Sequence, residues 1–169
     1  MNTLRLAVSA VLLASCAAVA AQQPQPQPAP QQPAQAAAQP ELTAEQREQI
    51  ARQDAEMSQA ALRVMQMIDG NQIGEVWDGA SEVMKQSVPR EEFVRQISAD
   101  RTRLGAATQR SQPIVSRSQF PAGGEVPEGI YINIASPTTF ANQQTPVREL
   151  VSFRFDTDRT WRVSGYSVR

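Results

Sequence analysis

Glu149 stands in a stretch, VRELVSFRF at 147–155, in which apolar and polar side chains alternate. A period of two is that of a half-buried strand. It puts Val147, Glu149, Val151, Phe153 and Phe155 on one face, opposite Arg148, Leu150, Ser152 and Arg154. A carboxylate turned toward a core is costly unless it is paired and hydrogen-bonded. Two guanidiniums could meet it. Arg110 shares the parity of Ile114 in the preceding strand region, and Arg162 lies in the strand that follows. Such a pair could pin the register of a sheet. It could also form the polar floor of a ligand pocket, with Phe153, Trp161 and Tyr166 beside it. The register role is the simpler chemistry.

Other constellations carry less. Asp69-Gly70-Asn71-Gln72-Ile73-Gly74 opens like a calcium loop, but Ile73 and Ala80 fall where positions five and twelve need oxygen ligands. A helix–turn–helix junction explains it better. Glu91 and Glu92 are neighbours on a helix and face different ways, whereas Asp156 and Asp158 bracket a tight turn that favours aspartate for its geometry. The chain has no histidine and a single cysteine, Cys16. Histidine-based triads, zinc hydrolase sites and dithiol redox couples are thereby excluded. No phosphate-binding glycine loop and no nucleophile elbow occurs. The expectation is a chain that is not an enzyme, with no metal and no cofactor. A net charge of −1 gives no field for nucleic acid. The expected partner is another envelope protein or a cell-wall component, with the membrane reached only through an N-terminal lipid anchor. A small-molecule carrier with its pocket on the concave face of the sheet is the alternative.

The 169 residues divide by composition into three parts. Residues 1–21 read as a secretion signal: Arg5, an apolar run from Leu6 to Leu13, then small residues. Two cleavages compete. Leu13-Ala14-Ser15-Cys16 resembles a lipobox, cut after residue 15 with the Cys16 thiol acylated, and Ala18-Val19-Ala20 suits ordinary signal peptidase. Residues 22–41 form a Pro/Gln/Ala-rich linker with almost no charge and no large apolar side chain, a composition that does not fold. An extended spacer of up to roughly 60 Å has more use after a lipid anchor than in a free chain. The expected location is therefore the periplasm, or the face of an envelope membrane.

Residues 42–169 read as one α+β domain. Thr43 and Gln46 form a capping box that opens a helix ending near Asp69-Gly70. A second helix spans about 71–85, with Ile73, Val76, Trp77, Ala80 and Met84 on one side. A third runs from Pro89 to Gly105, with Phe93, Ile97 and Leu104 inward and Arg101 and Arg103 suited to its C-terminal dipole. Past Gly105 the period becomes two. Strands are expected at 110–119, 129–136, 147–156 and 160–168, joined by two long connections and a tight Asp156–Arg159 hairpin. Three helices on a four-stranded antiparallel sheet is the expected architecture.

The C-terminal half carries a resemblance. RLGAATQR (103–110), PEGIY (127–131), TFAN (139–142), RELV (148–151) and TWRVSGY (160–166) resemble the bacterial domain-of-unknown-function family 4019. The likeness extends over about residues 57–169, with Asp69 and Trp77 as earlier matches and Phe93 where the family more often has tryptophan. It implies an exported protein or lipoprotein without an assigned activity, and an element order similar to the cone-shaped nuclear-transport-factor-2-like fold. It lends no catalytic role to any residue. The intact mass of the mature chain checks the front end: lipidation leaves a diacylated Cys16 as first residue, and ordinary cleavage an unmodified Ala21 or Gln22.

Overall fold

The computed structural model describes residues 41–169; the expected signal peptide, Cys16 and the linker as far as Pro40 lie outside the described residues. Thr43 opens the first helix. Its hydroxyl accepts from the Gln46 amide at 3.2 Å, and the Gln46 side chain accepts from the Thr43 amide at 2.9 Å. This reciprocal cap satisfies two otherwise orphaned donors and starts α1 (Ala44–Asp69). The first turns of α1 are almost wholly exposed. From Met57 onward Ala61, Val64, Met65 and Ile68 turn inward, a stripe at helical spacing.

The expected single helix over 71–85 is two short ones, α2 (Ile73–Asp78) and α3 (Glu82–Ser87). Gly79 caps the first, and Ser81 restarts the chain by accepting from the Met84 amide at 3.4 Å. The break turns α3 toward the sheet, where the Ser81 amide donates to the Val163 carbonyl at 2.9 Å. The apolar positions expected of the single helix still point inward, because the break keeps them on one side: Ile73, Val76, Ala80 and Met84 are all buried. Pro89 is the N-cap of α4 (Arg90–Leu104) rather than its first residue. Phe93, Ile97 and Leu104 of α4 are buried.

The sheet is antiparallel and has five strands, not four: β1 (Ala107–Arg110), β2 (Ile114–Phe120), β3 (Gly129–Phe140), β4 (Gln143–Phe155) and β5 (Trp161–Val168). β1 and β2 pair with successive parts of β3 and so share one edge, interrupted at Ser111-Gln112-Pro113. Proline cannot donate to a ladder, so the single strand expected over 110–119 divides there. The residues 137–146, expected as a connection, instead extend β3 and β4, leaving only Ala141-Asn142 as the turn. In the register Ile134 lies opposite Val151, and Val151 opposite Tyr166. The helix-facing side carries Ile132, Ile134, Phe140, Val151, Phe153 and Val163, all buried. Each large apolar side chain buried there contributes roughly 1.5–3 kcal/mol.

The joint between the two halves is built around Gly105, which ends α4 with φ +78°. A side chain there would need an unfavourable backbone and would crowd Ala141 and Asn142, 3.1–3.2 Å away. The turn answers with its own bonds: Asn142 N to Leu104 O at 2.9 Å and Ala141 N to Ala106 O at 2.8 Å. Phe140, 1 % exposed, packs under this joint. Truncating Phe140→Ala is expected to cost about 3–5 kcal/mol; chemical denaturation followed by circular dichroism measures it.

Candidate functional site

Glu149 is 0 % exposed, and its partners converge from four other elements. From β1, Arg110 donates Nε to Oε2 at 2.7 Å and Nη2 to Oε1 at 3.2 Å. Thr138 of β3 donates its hydroxyl to Oε2 at 2.9 Å, and Tyr166 of β5 donates to Oε1 at 2.7 Å. Arg101 of α4 places Nη1 3.7 Å from Oε1. Both guanidiniums also hold Asp69, the last residue of α1. Arg110 donates Nη1 to Oδ2 at 2.8 Å and Nη2 to Oδ1 at 3.0 Å, and Arg101 Nη2 donates to Oδ1.

The helix ends explain why these charges gather here. An aspartate closing α1 opposes the helix dipole, and no basic residue in that last turn offsets it. Arg101 comes from the last turn of α4, where a cation is favoured, and it reaches across to Asp69. The Arg101 guanidinium also lies 4.8 Å from the centre of the Phe140 ring, a cation–π contact that ties the cluster to the apolar core. Two carboxylates and two guanidiniums make it formally neutral.

The environment shifts two of its groups. Burial pushes the Tyr166 hydroxyl far above its usual 10, and the charge and hydrogen bond of Glu149 push it the same way. Burial pulls Arg110 down, but its hydrogen bonds to Asp69 and Glu149 outweigh that and hold it above the ordinary guanidinium value.

Arg110 also forms part of the wall of a groove of about 710 Å³ between α1 and the interrupted edge of the sheet. Ala55, Ser58, Gln59 and Leu62 line it from the helix, and Ser111, Gln112, Pro113 and Val115 from the edge. A second cleft of about 510 Å³ lies beside the β4–β5 hairpin and is lined mostly by charged residues. There Arg162 pairs with Asp156 at 3.1 Å and Asp158 at 2.7 Å, and Arg154 pairs with Asp156 at 2.8 Å. The Arg162 hydrogen bond, with smaller help from Thr160, holds the Asp158 carboxyl at about 2.

Of the two expected partners of Glu149, Arg110 makes the contact and Arg162 does not. Arg162 lies opposite Arg154 on the outer face, occupied by the hairpin aspartates. The shared parity of Arg110 and Ile114 also fails. The Ser111–Pro113 interruption reverses the alternation, so that Val115 turns toward the helices and Ile114 is 66 % exposed. Tyr166 joins the cluster. Phe153 lies in the core, and Trp161 packs on Phe155 at 5.0 Å; neither lines the groove. The sequence reading missed Asp69 and Arg101 as members of the cluster, because each had a sufficient local explanation, a turn and a helix end. It also missed the helix side of the groove. Leu62, 40 % exposed, was the available signal: a large apolar residue off the core stripe.

Fold and site together define a small α+β domain organised around a buried ion cluster, with an open groove against one of its arginines. A family model described as a protein of unknown function, DUF4019, matches residues 60–166, and the chain belongs to that family. No curated protein and no solved structure gives a significant match. Nine of the residues that carried the resemblance fall together in space. Asp69, Arg110, Glu149 and Tyr166 are in the cluster, and Leu104, Gly105, Phe140, Ala141 and Asn142 make the adjoining joint.

Breaking a buried pair from one side typically costs about 3–5 kcal/mol. Glu149→Gln and Arg110→Gln are each expected to lose that order of stability. Their double variant should lose at least about 1 kcal/mol less than the sum, measured by urea denaturation. Tyr166 adds a pH dependence. Its folded value lies above the unfolded value of about 10, so its contribution is full below that pH and is lost as pH rises beyond it. Thermal melts should show alkaline destabilisation starting near pH 10, with a shallower slope in Tyr166→Phe.

Proposed function

We propose that this chain is an exported, non-catalytic binding module that takes a small molecule in the groove between α1 and the interrupted sheet edge. The observation that carries this reading is the groove itself. Its volume of about 710 Å³ lies within the range of small-molecule sites, and Arg110 anchors one wall. Arg110 is fixed from two sides by Asp69 and Glu149, so that wall is rigid before any ligand arrives. Pre-organisation of this kind lowers the ordering cost of binding.

Docking of a protein or of cell wall is supported less well. Among the described residues the exposed large apolar side chains, Leu42, Leu62, Ile114, Val126 and Ile130, are scattered along the chain, whereas such a contact uses a broad contiguous patch. The non-catalytic part rests on the missing histidine and on the cluster itself. The buried carboxylate accepts from three side chains and is closed to solvent, so it cannot act on a substrate in the groove. The signal-like front end supports export, and helices over one face of the sheet support the cone-like comparison.

Nile red, an uncharged dye that brightens on leaving water, tests the groove. Binding to the wild-type protein is expected. Ala55→Trp, at an exposed helix position, fills the groove and should weaken binding by about tenfold or more without changing the melting temperature. No brightening, or brightening that Ala55→Trp leaves untouched, would refute the reading.

A further inference from the structure

An arginine in the wall of a pocket ordinarily selects a carboxylate or a phosphate. The bonding of Arg110 argues the reverse. A guanidinium has five N–H donors, and Arg110 directs four N–H contacts to Glu149 and Asp69. Its charge is cancelled within the cluster, where Arg101 balances the second carboxylate. The other charged residue of the groove, Asp54, is held by Arg117 at 2.6 Å. What remains to meet a ligand is uncharged: hydroxyls of Ser58, Ser111 and Ser136 and amides of Gln59 and Gln112. An anionic or cationic head group would give up its water and find no unpaired counter-charge. The apolar part of the lining is aliphatic, from Ala55, Leu62, Met65, Pro113 and Val115, and none of the residues lining the groove is aromatic. Polar planar rings such as nucleobases are held by stacking on aromatic platforms, whereas apolar surface, a flexible hydrocarbon chain above all, needs only aliphatic lining.

We infer that the groove selects a single-chain aliphatic molecule with an uncharged, hydrogen-bonding head, taken up as a monomer, and that its carboxylate pairs act as a filter against charged ligands. This rests on the groove being a ligand site, as proposed above. The arginine that looks like an anion receptor is thus the element that holds the site neutral.

Competition for bound Nile red separates the possibilities, with three competitors that share one chain: decan-1-ol, decanoate and decylammonium. The expected order is displacement by decan-1-ol, with both charged compounds weaker by about tenfold or more. Asp69→Asn removes one of the two carboxylates on Arg110 and should strengthen decanoate by about tenfold while leaving decan-1-ol unchanged. Asp54→Asn, which frees Arg117 at a partly exposed site, should move decanoate the same way and serves if Asp69→Asn does not fold. Decanoate displacing dye from the wild-type protein as well as decan-1-ol does, or gaining nothing in a folded variant, overturns the filter and leaves the groove standing as a site. Dye that binds and is displaced by none of the three overturns the aliphatic assignment. Dye that does not bind at all removes the groove reading itself.

Discussion

A carboxylate with no exposed surface governs this domain. Taking an ion out of water costs several kcal/mol, and at Glu149 two guanidiniums, a threonine hydroxyl and a phenol offset that cost. Each donor belongs to a different element, and Asp69 adds the end of α1. The cluster therefore specifies as much as it stabilises. A slip of one residue in β4 would carry Glu149 to the outer face and leave two arginines sharing Asp69 alone. Hydrophobic burial alone would tolerate several registers among Val, Ile and Phe side chains, whereas the ion cluster tolerates one.

The domain's chemistry was legible where a single element determined it. The strand alternation around Glu149 exposed an inward carboxylate, the capping box marked the start of α1, and Gly105 marked the end of α4. Two features depended on several elements and were hidden. Asp69 and Arg101 lie 32 residues apart, each fully explained by its local context, and no periodicity connects them. The division of the first strand could have been read from Pro113, a residue poorly suited to the middle of a ladder. Missing it misplaced Ile114. The tight Ala141-Asn142 turn was masked because Pro137 and Pro146 suggested a loop. Pro137 has no N–H to give, and its carbonyl accepts from the Ser111 amide at 2.9 Å beside the interruption, where β3 can carry a proline.

The groove and the cluster are coupled by one residue. Arg110 lines the groove and directs its donors to the buried Glu149 and to the more exposed Asp69, so that wall is tied to the core behind it. The helix side is softer. The first turns of α1 bury little, and Arg117 anchors them to the sheet through Gln53 and Asp54. The groove therefore has one wall tied into the ion cluster and one whose outer turns bury little.

The interruption at Ser111-Gln112-Pro113 has a bearing beyond the groove. β1 and β2 form one rim of the sheet, opposite β5, and a rim with unsatisfied backbone groups is a template onto which foreign strands can grow. Here the template is cut into lengths of four and seven residues whose side-chain alternation is out of step. An incoming strand that matched one segment would present the wrong side chains to the next. On this edge a continuous template is thus broken by the same three residues that line the groove.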